Sequence, residues 1–182
     1  ARAIVYDEVP DVVALQELSP EMATVVVEEL GDIYPYREFV FGTDPDSGVG
    51  VLSRYPVQQV ASQVSGWRAQ ALRVVVEERS FTLYNIHPAV SNVLAYLEDG
   101  DSLAAGVEAS WREREAQIRE LVADIESRDE PVIVAGDLNS TDQSTVYRLL
   151  DGELSDAHRV SGWGLGHTFP AYGGSWRGIP IV

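Results

Sequence analysis

The sequence predicts an α+β or α/β domain in which helices cover β-sheets, and three features of the chain support this prediction. Short apolar runs rich in Val and Ile recur between turn residues, as expected for buried strands. Pairs of such runs separated by short polar turns indicate hairpins. Between these runs lie segments with helix caps or helical periodicity, so strands and helices are mixed along the chain.

The first strand is predicted over residues 11–15, with Gln16 and Glu17 at its carboxyl end. In open α/β sheets, ligands gather at that end of the strands. Ser19 before Pro20 then predicts a helix start, because serine is a preferred N-cap and proline is tolerated at the first helical position. Gly31 predicts the end of this helix.

Two strand pairs follow. Residues 36–41 and 49–53 are predicted to pair around a glycine-containing turn, and residues 73–77 and 81–86 form the clearest hairpin. His87 stands at the far end of the second pair.

A long helix is predicted over residues 111–125. Its apolar stripe consists of Trp111, Ile118, Leu121, Val122 and Ile125. Glu115 and Arg119 form a supporting pair four residues apart. A short helix over residues 145–150 and a brief strand or turn over residues 154–158 complete this part of the chain.

The stretch between these helices, residues 131–140, contains the motif around which the other predictions are organised. Residues 132–135 predict a buried strand that ends on Gly136, which allows close approach of backbone or ligand. Asp137 and Asn139 follow two residues apart and therefore share one face in extended geometry. A carboxylate beside an amide suits a hard cation or a phosphate oxygen. The alternative is a simple turn, with Asn139 or Ser140 capping the next helix.

Composition limits the function classes. The chain has 182 residues, the size of one domain, and its 29 Asp and Glu against 13 Lys and Arg give a formal charge of −16. Such a surface repels polyanions, which disfavours a general nucleic-acid binder but not a metal-dependent enzyme. The absence of cysteine excludes disulfides, thiolate nucleophiles and cysteine-ligated zinc.

Polar groups end several predicted strands and could share one rim. They are Glu17, His87, Asp137, Asn139 and Asp156. Mg²⁺ is usually bound by few carboxylates while it retains waters and accepts substrate phosphate, and a neighbouring histidine can protonate a leaving oxygen. Each residue also has a structural interpretation: Glu17 as a solvated strand end, His87 as a cap on its hairpin, and Asp156 in a turn or an ion pair with Arg159.

Five segments, in order along nearly the whole chain, resemble motifs of the endonuclease/exonuclease/phosphatase superfamily. They are DVVALQE at 11–17, SGVGVLSRYP at 47–56, Asn85-Ile86-His87, Gly136-Asp137-Leu138-Asn139, and Ser155-Asp156-Ala157 with Thr168-Phe169-Pro170. The resemblance implies two packed mixed β-sheets flanked by helices, a four-layer α/β/β/α sandwich. It also implies metal-dependent cleavage of phosphate esters.

The resemblance further implies a role for each candidate residue. Glu17 would be a ligand of Mg²⁺ or Mn²⁺, and Asp137 would orient or deprotonate the attacking water. Asn139 would hold a phosphate oxygen, and His87 would stabilise the transition state or the leaving group. Asp156 would orient a catalytic histidine from the family's final Asp-His motif.

Two family elements are not found in the 182 residues: a first strand with an Asn ligand and the final Asp-His motif. We therefore expect one domain that is incomplete at both ends. The spacing over residues 155–170 resembles a bacterial branch often tethered by upstream membrane helices, which suggests a cell-surface location. The expected substrate is a phosphorylated small molecule or lipid: a phosphomonoester, phosphodiester or lipid pyrophosphate. A DNA endonuclease and a non-catalytic binding domain are the alternatives.

Overall fold

The computed structural model describes residues 8–44, 46–64, 67–90 and 103–162, together with the backbone of two short strands near the C-terminus. The elements follow in this order: β1 (Val12–Leu18), α1 (Pro20–Leu30), β2 (Tyr36–Val40), β3 (Gly48–Ser53), β4 (Val57–Gln59), β5 (Ala69–Val76), β6 (Arg79–Ile86), α2 (Leu103–Glu126), β7 (Val132–Gly136), α3 (Thr145–Asp151), α4 (Ala157–Ser161), β8 (Ser175–Trp176) and β9 (Ile179–Pro180).

The strands form two main sheets. The first has the order β1-β3-β2 and is antiparallel, whereas the second has the order β4-β5-β6-β7. The second sheet is mixed, because the β4–β5 and β5–β6 pairs are antiparallel while β7 runs parallel to β6. Strands β8 and β9 form a separate antiparallel pair.

Three apolar clusters separate four layers and confirm the predicted sandwich. Helix α1 covers the outer face of the first sheet through a cluster built on Leu30, Tyr34 and Leu52. Between the two sheets lie Val51, Leu72, Val74 and Leu83. Helices α2 and α3 cover the outer face of the second sheet, where Tyr84 and Ile86 contact residues such as Ile118, Leu121 and Val146. Burial of these side chains is the main force that holds the layers together.

Local signals in the sequence agree with several of these elements. The Ser19 side chain accepts a hydrogen bond from the Met22 amide, Pro20 is the first residue of α1, and Gly31 follows its end, as predicted. The predicted strand pairs are present as β2–β3 and β5–β6. The predicted pair of Glu115 and Arg119 is also present, at 2.6 Å.

Three predictions about this part of the chain are wrong. The helix predicted over residues 111–125 begins earlier, at Leu103. Trp111 is 63% exposed, so it does not belong to the buried stripe of α2. The strand or turn predicted over residues 154–158 is instead the start of a helix, because α4 begins at Ala157. The helix forms there because the Asp156 carboxylate accepts hydrogen bonds from the amides of His158 and Arg159, which satisfies two N–H groups of the first turn.

Strands β1 and β7 lie at adjacent edges of the two sheets, and among the described strands neither has a second neighbour. An apolar cleft lies between these edges. Its lining includes Val12, Ala14, Phe81, Leu83, Ile133 and Ala135. That the domain is incomplete at both ends stays a prediction.

The described helices include none that is both long enough and apolar enough to cross a membrane. The segment with Thr168-Phe169-Pro170, which contributed to the family resemblance, lies outside the described residues.

A buried carboxylate fastens α2 to the second sheet. Asp124 accepts hydrogen bonds from the Tyr84 hydroxyl, from Ser62 Oγ at 2.7 Å and from the Arg128 guanidinium at 2.8 Å. Burial by itself raises the pKa of Asp124, but the hydrogen bonds from Tyr84, Arg128 and Ser62 outweigh it and leave this pKa below its ordinary value of 3.8. The charged form therefore stabilises the folded state above pH 3.8, and that stability is lost as the pH falls through the lowered pKa.

Replacement of Ser62 by Ala tests this interpretation. We expect the free energy of unfolding to fall by about 1 kcal/mol at pH 7, because one hydrogen bond to the carboxylate is lost. The cost should shrink as the pH falls through the lowered pKa of Asp124 and the carboxylate takes up a proton. Urea denaturation at pH 7 and at a series of lower pH values measures it. Ser127→Ala is the control, since Ser127 bonds the backbone carbonyl of Asp124 and its cost should not depend on pH. A cost of Ser62→Ala that stays the same down to the lowest pH at which the parent remains folded would contradict the interpretation.

Candidate active site

Three strand ends meet at one rim of the sandwich. In the parallel β6–β7 pair, Ile86 lies beside Gly136, so the next residues, His87 and Asp137, leave adjacent strands at the same edge. The end of β1 reaches the same place from the other sheet, where Glu17 Oε1 lies 3.9 Å from His87 Nε2. The structure thus brings together Glu17, His87 and Asp137.

Gly136 makes this convergence possible. Its φ of +140° belongs to a region that is essentially restricted to glycine. A Cβ atom there would lie closer to the Ile86 carbonyl oxygen than the 3.0 Å that real Cβ atoms respect. The absence of a side chain therefore lets β7 end directly against β6, which is the close approach predicted for this glycine.

Glu17 is placed by a bulge, which the sequence did not reveal. The predicted strand end at Leu15 is wrong, because β1 continues to Leu18. The β1–β3 register shifts between Leu15 and Leu18, and Glu17 has a φ of +54°. Without the extra residue, strand alternation would turn Glu17 toward the face of Val13 and Leu15, which packs on α1. With it, the Glu17 side chain stands 72% exposed at the rim.

His87, by contrast, is almost fully enclosed, with 1% of its side chain exposed. Burial lowers the pKa of His87, and the Arg68 guanidinium lowers it further; the carboxylates of Asp137 and Glu17 raise it, but the net shift is downward from 6.5. The imidazole is therefore neutral at pH 7. Its Nδ1 atom is buried and has no hydrogen-bond partner among the described residues.

The loop after β7 is held in a tight turn. The Asn139 amide donates to Asp137 Oδ1 at 2.8 Å, and Asn139 has a φ of +48°. The Asn139 side-chain amide donates to the Pro88 carbonyl at 3.1 Å. This contact ties the loop to the turn that follows His87. The turn proposed as the alternative interpretation is thus real, but the cap is not at Asn139 or Ser140, because Ser144 caps α3. The turn also places Asp137 and Asn139 against the histidine segment.

Two residues of α2, neither of them a predicted site residue, hold the same segment. Arg114 Nε donates to the Ala89 carbonyl at 2.6 Å, and the Ala89 amide donates to Gln117 Oε1 at 2.8 Å. Burial lowers the pKa of Arg114 while Asp137 raises it, so this buried guanidinium lies within electrostatic reach of the Asp137 carboxylate. A signal was present in the sequence: Arg114 precedes Ile118 by one helical turn and therefore falls on the buried stripe.

Asp156 is not joined to the other candidates by any contact among the described residues. Its carboxylate accepts from the Tyr147 hydroxyl at 2.9 Å and caps α4, as described above. The ion pair predicted with Arg159 is not the observed contact, because that residue donates its backbone amide to Asp156 and its guanidinium to the Tyr147 hydroxyl. The structural role of Asp156 is therefore visible, and its catalytic role stays a prediction.

The donors at this rim fit a hard divalent cation that keeps much of its hydration. Within the described residues, no three His, Asp or Glu side chains are grouped closely enough to form a metal cage. Mg²⁺, however, is commonly bound through one or two carboxylates and several waters. The exposed Glu17 carboxylate meets that requirement, and oxygen is the donor type that Mg²⁺ and Mn²⁺ prefer.

Comparison with known proteins identifies related sequences and folds. The model of the Endonuclease/Exonuclease/phosphatase family matches residues 1–181. A search of curated proteins found no match.

Solved structures share the fold at low sequence identity. A sphingomyelinase C from Streptomyces griseocarneus is 23% identical, with a TM-score of 0.62, covering 86% of this chain and 62% of its own. A beta toxin from Staphylococcus aureus is 15% identical, with a TM-score of 0.59 and coverages of 80% and 59%. A D. rerio TDP2 humanised by 14 mutations is 19% identical, with a TM-score of 0.53 and coverages of 83% and 56%. The chain thus spans about three fifths of the length of these proteins.

Proposed function

Because the chain belongs to the Endonuclease/Exonuclease/phosphatase family, we propose that the protein is a metal-dependent hydrolase that cleaves a phosphate ester by attack of water. The observation that carries this proposal is the convergence of Glu17, His87 and Asp137 at one rim, from three strands of two sheets. An ordinary solvent-exposed strand end would not combine a backbone conformation restricted to glycine, a β-bulge and a buried histidine at the same place.

Glu17 is the residue we assign to the metal. Its carboxylate is 72% exposed and lies 3.9 Å from His87 Nε2, so it is open to a hydrated cation at the rim. Mg²⁺ or Mn²⁺, when bound, supplies Lewis-acid stabilisation of the charge on the phosphoryl oxygens. The neutral imidazole beside it does not repel a cation.

Asp137 is the residue we assign to water activation. The Asn139 amide fixes one of its carboxylate oxygens, which restrains the side chain at the rim. A carboxylate so held can orient a water and accept its proton. Asn139 carries two side-chain N–H donors, and its bond to Pro88 uses one of them, so the other can bind a phosphate oxygen.

His87 is the residue we assign to the reacting phosphate. A neutral imidazole that carries its proton on Nε2 can donate a hydrogen bond toward the rim, either to an equatorial phosphoryl oxygen or to the leaving oxygen. Asp156 would orient a further histidine, as the family resemblance implies.

The acidic surface guides the choice of substrate. The protein has a formal charge of −16 and therefore repels duplex DNA, which is a polyanion. A small phosphorylated substrate carries far less charge and is repelled less. A sphingomyelinase is among the proteins that share the fold, which supports testing a phospholipid. We therefore propose a phosphorylated small molecule or lipid as the substrate.

A hydrolysis panel tests this proposal. The full-length protein is incubated with a phosphomonoester, sphingomyelin vesicles, a lipid pyrophosphate and plasmid DNA, each with Mg²⁺ and with EDTA. We expect metal-dependent hydrolysis of at least one of the first three at a rate above that of DNA cleavage. Faster DNA nicking at physiological salt would favour the nuclease, and inactivity on all four would favour a binding domain.

Replacement of Glu17 by Gln should weaken Mn²⁺ binding by roughly tenfold or more, because the neutral amide removes the charged ligand. The melting temperature should stay within a few degrees, since an exposed side chain contributes little to the core. Titration calorimetry measures the affinity, and Glu21→Gln, an exposed glutamate in the first turn of α1, is the matched control. Equal affinity in Glu17→Gln and in the parent would remove Glu17 from the metal site.

A further inference from the structure

Asn85 is a buried amide at the interface between the two sheets. It lies on β6 two residues after Leu83, whose side chain packs between the sheets, so alternation points Asn85 at the first sheet as well. The residue is fully buried. A polar group in such a place is costly unless its hydrogen bonds are made, and an apolar side chain would fill the layer without that cost.

The hydrogen bonds of Asn85 connect it to the end of β1. Its Oδ1 accepts from Gln16 Nε2 at 2.6 Å, and its Nδ2 donates to the Leu15 carbonyl at 3.1 Å. Nδ2 also lies within hydrogen-bond distance of the Gly50 carbonyl, at 2.9 Å, and of Gln70 Oε1, at 3.3 Å. One side chain of the second sheet therefore holds the two residues of β1 that precede Glu17.

The backbone at Glu17 needs such support. A left-handed conformation at a residue other than glycine costs about 1–3 kcal/mol and persists only where the surrounding structure enforces it. Asn85 holds the bulge on its N-terminal side through hydrogen bonds. On the C-terminal side the bulge is held by the β1–β3 pairing, which resumes at Leu18. His87 directly follows β6, the strand that carries Asn85. The Asn85 amide therefore helps to fix the distance between the Glu17 carboxylate and the His87 imidazole.

We infer that Asn85 is a positioning residue for the metal site: through Gln16 and Leu15 it holds the β1 bulge that presents the Glu17 carboxylate beside His87. The inference rests on the proposed function, in which Glu17 binds the metal. Partners that orient a metal ligand typically change metal affinity by roughly 10–100-fold when they are removed.

Mn²⁺ affinity, measured by electron paramagnetic resonance on the full-length protein, tests the inference without any substrate. Asn85→Ser removes the whole contact, and Gln16→Met removes only the bond to Asn85 Oδ1, with less risk to folding because Gln16 is half-buried. We expect affinity losses of roughly tenfold for Asn85→Ser and a smaller but measurable loss for Gln16→Met.

Thr82→Val is the matched control. Thr82 is buried on the same strand and donates a hydrogen bond to Glu130 at the opposite end of β6. Its loss should lower the melting temperature while leaving Mn²⁺ affinity within about twofold of the parent. A parallel loss of Mn²⁺ affinity in this control would show that general destabilisation weakens the site, and it would overturn the inference.

Comparison with Glu17→Gln separates the two proposals. If Asn85 acts through Glu17, then Asn85→Ser should reduce affinity by less than about twofold in the Glu17→Gln background, because coupled residues are not additive. The inference would be overturned if both Asn85→Ser and Gln16→Met bound Mn²⁺ with parental affinity. If Asn85→Ser does not fold, parental Mn²⁺ affinity in Gln16→Met alone would overturn it. Parental affinity in Glu17→Gln would instead overturn the metal assignment itself.

Discussion

Replacement of Asp137 by Asn is expected to reduce the rate of hydrolysis by roughly a hundredfold to ten-thousandfold, the range typical for loss of a general base. Asparagine keeps the shape of the side chain and an oxygen that can accept the hydrogen bond from the Asn139 amide. It removes the negative charge that accepts the proton of the attacking water. Initial rates on whichever substrate the panel identifies, with saturating Mg²⁺, measure the effect.

Stability should change little in this variant. Asp137 is exposed, and with Glu17 nearby the loss of one carboxylate relieves repulsion between like charges, so the melting temperature should equal or exceed that of the parent. Asp142→Asn, an exposed aspartate in the same loop, is the control and should retain parental activity. Nearly intact activity in Asp137→Asn would show that residues 136–139 form only a turn, and it would contradict the proposed mechanism.

Replacement of Gly136 by Ala is expected to lower the free energy of unfolding by roughly 3 kcal/mol or more. Two costs combine: a φ of +140° is strained for alanine, and the added Cβ meets the Ile86 carbonyl at less than 3.0 Å. Because that carbonyl belongs to the end of β6, relief of the clash must move β7 away from β6. Asp137 would then separate from His87, so activity should fall together with stability.

Gly152→Ala is the matched control for this prediction. Gly152 follows α3 with a φ of −70°, and the nearest atom to an added Cβ would lie at 3.6 Å, which is ordinary contact. This substitution should be neutral or should stabilise the protein by up to about 1 kcal/mol, because alanine restricts the unfolded chain. Urea denaturation of both variants makes the comparison, and equal stability of Gly136→Ala and the parent would show that the β6–β7 approach is adaptable.

Features encoded by neighbours in the chain were predictable from the sequence. The α1 cap at Ser19, the hairpin before His87 and the strand before Gly136 depend on propensities and turn residues within a few positions of each other. The order of the motifs along the chain was enough to identify the family and its four-layer architecture. The positions of Glu17, His87 and Asp137 near strand ends followed from the same local patterns.

Features that depend on contacts across the sandwich were decided only by the tertiary structure. The sequence did not reveal the bulge at Glu17, because its support comes from Asn85, 68 residues later in the chain and on the other sheet. It did not show that Arg114 and Gln117 hold the turn after His87, since a helix in isolation does not specify which loop it covers. Periodicity placed Trp111 on the buried stripe of α2, but a stripe is buried only where another layer faces it, and at Trp111 none does among the described residues.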